Sequence, residues 1–146
     1  MVTKNAKLGQ RIRAEKRARI GANLPSDEQR VSWRLGDADL AGPYAWNSIS
    51  SSDLARLIDV FREVDKKRWS AVMGEGMGEI KSIPRTSLCA AAQRRLETIK
   101  RDDESWLHEI RLGNKPRVWG IRDDNVFHVL WWDPEHDVCP AELRNT

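Results

Sequence analysis

Between Ser105 and Trp132 the apolar residues stop recurring every three or four positions and begin to alternate with polar ones. Upstream, Leu54, Leu57, Ile58, Phe61 and Val64 fall on one helical stripe, and Leu88, Ala92, Leu96 and Ile99 fall on another. Downstream, Trp106, His108, Ile110 and Leu112 alternate with Leu107, Glu109 and Arg111. Two further alternating runs cover 117–122 and 125–132. Side chains return to one face every 3.6 residues in a helix and every second residue in a strand, so no segment satisfies both patterns. The order strand, helix, helix and then three hairpin-connected strands predicts an α+β domain, an antiparallel sheet with two helices packed on one face.

Punctuation along the chain fits the same elements. Val31, Trp33 and Leu35 alternate with Ser32 and Arg34 in a first half-buried strand, which Gly42-Pro43 ends. Ser50-Ser51-Ser52-Asp53 offers hydroxyls that cap a helix and an acid suited to the positive end of its dipole. The stretch Met73 to Glu79 contains Gly74, Gly76 and Gly78. It lacks the Gly-Lys-Ser/Thr of a phosphate loop and the preceding strand of a dinucleotide fingerprint, so it reads as a flexible connection. Pro84 precedes the second helix, over 87–100, in which Cys89 reads as a small buried side chain. Gly113-Asn114 and Asp123-Asp124 form the hairpin turns, and Pro134 stops the last strand.

Composition excludes several classes. The longest apolar stretch, 126–132, is interrupted by His128, whereas a membrane span needs about 20 apolar residues. The first residues lack the apolar core of a secretory signal. Cys89 and Cys139 are far apart, which argues against a disulfide framework and for a reduced, cytoplasmic setting. Charge divides the 146-residue chain: residues 1–20 hold seven Lys and Arg against Glu15 alone, and the remainder holds 18 basic and 21 acidic side chains. Residues 1–25 therefore read as a basic arm, either a frayed helix or a disordered tail, on one domain over 26–146. In the arm, Arg11, Arg13, Lys16 and Arg17 are candidates for an electrostatic grip on RNA or the ribosome. A second basic excess, 81–122, precedes an acidic exit, 123–142.

A two-residue loop in the 122–125 hairpin would oppose Ile121 with Val126, Trp119 with His128 and Arg117 with Leu130. One face then carries Val118, Gly120, Phe127, Val129 and Trp131, a floor for both helices on which Gly120 leaves room for Phe127. The other carries Arg117, Trp119, His128 and Trp132, with Lys115 near its end. Cations, flat rings and an imidazole suit single-stranded RNA. The alternative reading of the same face is an amphipathic exterior, with Trp119 and Trp132 covered by a partner or the arm. An odd loop length would instead set Arg122 beside His128.

The run Trp106-Leu-His-Glu-Ile-Arg-Leu, then Arg117-Val-Trp-Gly-Ile-Arg-Asp-Asp-Asn-Val-Phe-His-Val-Leu-Trp-Trp, then Glu135-His136-Asp, resembles the C-terminal half of the RelE/ParE-like toxins of bacterial toxin–antitoxin modules. The resemblance covers roughly 87–139. It implies a RelE-like fold and a toxin that cleaves messenger RNA on the ribosome, without metal or other cofactor, by 2′-hydroxyl attack, under control of an antitoxin protein. The implied site residues are Lys115, Arg117 and Arg122 for phosphate, His128 or His136 for proton transfer, and Trp119 or Trp132 for stacking. His136 matches the family's terminal histidine; Asp137 and Cys139 depart from the basic residue and tyrosine expected after it. The family also contains gyrase-poisoning toxins with no nuclease centre, and a non-enzymatic interaction protein of the same fold is the competing expectation. Asp133, Glu135, His136 and Asp137 lie near one another in sequence, but acids after a strand are common turn formers, and His108 reads as a sheet-surface histidine.

Overall fold

Ser50 starts the longest helix among the described residues: its hydroxyl accepts the Asp53 amide at 3.1 Å, and Asp53 lies in the first turn. A computed structural model describes residues 24–73 and 78–140. In chain order its elements are β1 (Ser32–Arg34), α1 (Ser51–Val64), α2 (Trp69–Val72), β2 (Ile80–Pro84), α3 (Ala90–Thr98), β3 (Trp106–Arg111), β4 (Arg117–Asp123) and β5 (Val126–Asp133). The architecture is α+β, with one five-stranded sheet in the order β1-β5-β4-β3-β2. No helix among the described residues is long and apolar enough to cross a membrane.

The sheet is mixed rather than antiparallel. β2 through β5 pair antiparallel, but β1 lies parallel to β5, with Trp33 opposite Phe127. Trp33 stacks on Phe61 of α1 with centroids 4.0 Å apart and meets Phe127 edge-on. These ring contacts dock a three-residue strand that is too short to hold itself in place. The strand β2 was not expected. Its five residues end in Pro84 and occupy an edge, where proline is tolerated.

The helices also depart from the expectation of two on one face. Leu57, Phe61 and Val64 of α1, with Trp69 and Val72 of α2, pack into one core with Ile110, Val118, Phe127, Val129 and Trp132. Ala92 and Leu96 of α3 pack into a second core with Leu107, Trp119, Ile121, Leu130 and Trp131. Neighbouring strand residues divide between the two cores, so α1 and α3 cover opposite sheet faces.

One extra residue in β5 decides which tryptophan each core receives. The turn is two residues, Asp124-Asn125, flanked by the pair Asp123–Val126, and Ile121 sits opposite His128. Between Gly120–Val129 and Trp119–Trp131 the register shifts, leaving Leu130 without a partner on β4. This bulge turns the following side chains over. Trp131 therefore joins the α3 core and Trp132 the α1 core, the reverse of the expected faces. The Leu130 carbonyl is recovered by the loop before α1. It accepts the Asp39 amide at 2.8 Å and the Trp46 indole at 3.1 Å.

Candidate functional site

The sequence-predicted site residues separate to the two ends of β4. Arg117 and Arg122 are five positions apart, roughly 17 Å along a strand, and an odd spacing puts them on opposite faces. At the Arg117 end, Lys115 pairs with Glu135 on the surface at 3.4 Å. The buried Arg117 donates from Nη1 to the carbonyls of Gly113, Lys115 and Pro116, at 3.3, 3.1 and 3.0 Å. Its Nε lies 4.0 Å from Glu109 Oε2, and His136 Nε2 lies 3.9 Å from that same oxygen. Arg117, Glu109 and His136 thus form a charge cluster that ties β3, β4 and the β5 exit together. Arg117 is built into the fold rather than presented to a phosphate.

Trp119 and Trp132 cannot stack on bases, because both are buried in the two cores. Closing both sheet faces with helices removed the open platform that the sequence suggested. The Trp119 indole donates to Asp133 at 3.1 Å. Asp133 also accepts the amides of Asp137 and Val138. Burial raises its pKa, and these bonds only partly oppose that. Asp133 therefore closes the β5 exit. Among the described residues, no three His, Cys, Asp or Glu side chains gather in a group that could hold a metal ion. Arg11, Arg13, Lys16 and Arg17 lie outside the described residues.

At the other end of β4, His128 comes together with residues from distant segments. Its Nδ1 lies 3.1 Å from Asp37 Oδ2, and Arg101 Nη2 donates to the other Asp37 oxygen at 2.8 Å. β5 supplies the histidine, the turn after β1 supplies the carboxylate, and the segment after α3 supplies the guanidinium. Lys100, at φ +59°, makes the left-handed turn that leads into Arg101. These three residues line a cavity of about 310 Å³ with Glu104, Ile121 and Arg122. A carboxylate on Nδ1 orients the ring and leaves Nε2 to exchange a proton with a ligand. The cationic Arg101 stands next to it.

On the opposite sheet face the Arg122 guanidinium stacks over the Trp69 ring, 4.1 Å from its centroid, and bonds to Asp27. His108, only 8% exposed, meets the Trp69 edge with centroids 6.3 Å apart. Burial first, and the Arg122 charge second, push the His108 pKa down to about 4, which leaves its ring neutral. A second cavity, of about 570 Å³, is lined by His108, Trp106, Ser82, Asp103, Glu104 and Arg122, together with Ser105. Arg122 and Glu104 line both cavities.

Asp37, Arg101 and Glu104 were missing from the sequence-predicted set. Asp37 sits in a polar turn with Gly36, and Arg101 sits in a charged run, and neither carries a spacing signal. No family model matches the chain, and neither a curated protein nor a solved structure matches it at a significant level.

Proposed function

We propose that the chain is the toxin of a toxin–antitoxin module, a RelE-like endoribonuclease that cleaves messenger RNA on the ribosome without a metal. The observation that carries this reading is the His128–Asp37 pair, 3.1 Å apart, in a cavity shared with Arg101 and Arg122. His128 Nε2 takes the proton of a ribose 2′-hydroxyl. The 2′-oxygen bonds to the adjacent phosphorus, the bond from phosphorus to the 5′-oxygen breaks, and solvent protonates that oxygen. The products are a 2′,3′-cyclic phosphate and a 5′-hydroxyl. Arg101 and Arg122 offset the negative charge that grows on the phosphoryl oxygens. Relative to the expectation from sequence, the chemistry moves from an open sheet face to the end of the sheet, and of the two candidate histidines this reading takes His128.

A second reading is favoured by a different feature. Leu35, Leu54 and Ile58 are exposed and line an apolar groove of about 550 Å³ with Trp33, Trp46 and Phe61. Such a groove suits a protein partner. It serves an antitoxin under the first reading, and a gyrase-like target if the protein is a non-enzymatic toxin.

Induced expression in bacteria separates the two. The nuclease reading expects growth arrest with codon-positioned cleavage of messages, abolished in His128→Ala and retained in His136→Ala. Arrest that persists in His128→Ala with intact messages would overturn it in favour of the interaction protein.

A further inference from the structure

The cavity around His108 has an unusual floor. His108 Nδ1 is sealed from solvent and has no hydrogen-bond partner among the described residues. A buried polar atom left unpaired costs stability, and the ring that carries it forms part of the cavity wall. Its neighbour on β2 is the small Ser82, which also lines the cavity. Trp106 stands at the wall with 52% of its surface exposed. Unlike the tryptophans of the two cores, it offers a ring face to an incoming group.

From these groups we infer that the cavity is a subsite for a nucleobase carrying an exocyclic amino group: adenine, cytosine or guanine rather than uracil. This rests on the reading of the neighbouring cavity as a site for RNA cleavage. Trp106 stacks on the base, as aromatic side chains do with splayed single-stranded bases. Asp103 and Glu104 are acceptors and take hydrogen bonds from an amino group, the pairing that carboxylates make with cytosine N4. The neutral imidazole of His108 supplies one further donor or acceptor to the base edge. Arg122 and Glu104 line both cavities. A nucleotide could therefore set its base against Trp106 while its phosphate reaches the guanidinium beside the reacting position.

Binding of the four nucleoside monophosphates and of ribose 5-phosphate to the full chain, followed by isothermal titration or amide chemical shifts, tests the subsite without requiring cleavage. AMP, CMP and GMP are expected to bind about tenfold more tightly than UMP, through the carboxylates, and UMP about tenfold more tightly than ribose 5-phosphate, through stacking on Trp106. Trp106→Ala should remove the advantage of UMP over ribose 5-phosphate and leave ribose 5-phosphate binding unchanged, and Asp103→Ala should narrow the gap between the amino-bearing nucleotides and UMP. Equal binding of all five ligands, no binding at all, or an advantage of UMP over ribose 5-phosphate that survives Trp106→Ala overturns the subsite. Loss of the cleavage reading alone, with His128→Ala still toxic and messages intact, leaves the base preference measurable. Cleavage that depends on His128 with no base preference sinks only the subsite.

Discussion

Asp39 and Arg95, 56 positions apart in the chain, meet in a two-pronged ion pair, with Arg95 Nε on one carboxylate oxygen and Nη2 on the other, both at 2.8 Å. Asp39 also accepts the Trp131 indole at 3.0 Å and the Ala41 amide at 3.1 Å. Burial alone would raise its pKa, but the bonds from Arg95, Ala41 and Trp131 outweigh it and hold the carboxyl below its ordinary value. The pair joins α3, β5 and the loop before α1. At Gly42, φ +76°, a Cβ would collide with the Arg95 side chain, so glycine is required there for both backbone and space.

Asp39→Ala leaves the Arg95 guanidinium, whose side chain is 17% exposed, without its carboxylate. The expected loss is about 3–5 kcal/mol of unfolding free energy, the range for breaking one half of a buried pair. Urea unfolding reads it directly. The double variant Asp39→Leu/Arg95→Met should lose less than the two single changes added together. Additive losses would mean that the two residues are not coupled.

Gly120 fits β4 because Phe127 of β5 lies across it. A Cβ there would overlap the Phe127 ring and come within 2.5 Å of the His128 carbonyl. The backbone oxygen cannot swing away as a side-chain end could, so Gly120→Ala should cost about 1–3 kcal/mol through overpacking. Adding Phe127→Leu should recover only part of it. A thermal melt of Gly120→Ala within a degree of wild type would refute the close approach.

Stability should fall with acid below the ordinary histidine range. The His108 pKa is about 4 in the folded chain, against about 6.5 when unfolded. Between these values the unfolded chain binds more protons, so stability from this group is complete above pH 6.5 and is lost as pH drops toward 4. The full span is worth about 3 kcal/mol. Unfolding measured at pH 7, 5.5 and 4.5, in wild type and in His108→Gln, should show a pH slope that is shallower in the variant. Parallel slopes would show that the histidine is already solvated.

Elements governed by local chemistry were legible in the sequence. The Ser50 cap, the α1 stripe, the strands β3 to β5 and the Gly120–Phe127 contact each rest on residues close in sequence or on one hairpin. Long-range features were not. The Leu130 bulge is held by the Asp39 amide and the Trp46 indole, from a loop more than eighty residues earlier. It reassigned Trp131 and Trp132 to opposite cores and took Trp132 away from any ligand. The abundance of tryptophan likewise has a structural cause. Trp33, Trp46, Trp69, Trp119 and Trp131 each place the indole N–H on a named acceptor, and Trp106 is the one left largely exposed. His128 and Arg122 were picked from sequence, but the partner that orients His128 was hidden in an ordinary turn.

That partner gives the sharpest contrast. Asp37 and Asp39 are two positions apart in one loop, and nothing in their residue type tells them apart. Asp39 is buried on Arg95, whereas the Asp37 side chain keeps 31% of its surface exposed and faces His128 and Arg101. Replacing Asp37 by asparagine preserves the shape but removes the charge, and an amide can hold the imidazole in the wrong tautomer. With solvent still reaching the site, the expected stability change is under about 1 kcal/mol. On the proposed nuclease reading, RNA cleavage should drop by roughly a hundredfold or more. Asp39→Asn should show the opposite profile, with a lowered unfolding midpoint and near-normal cleavage in the fraction that remains folded. Measuring both variants by urea unfolding and by cleavage per folded molecule decides the assignment. If Asp37→Asn cleaves like wild type, the carboxylate does not serve His128.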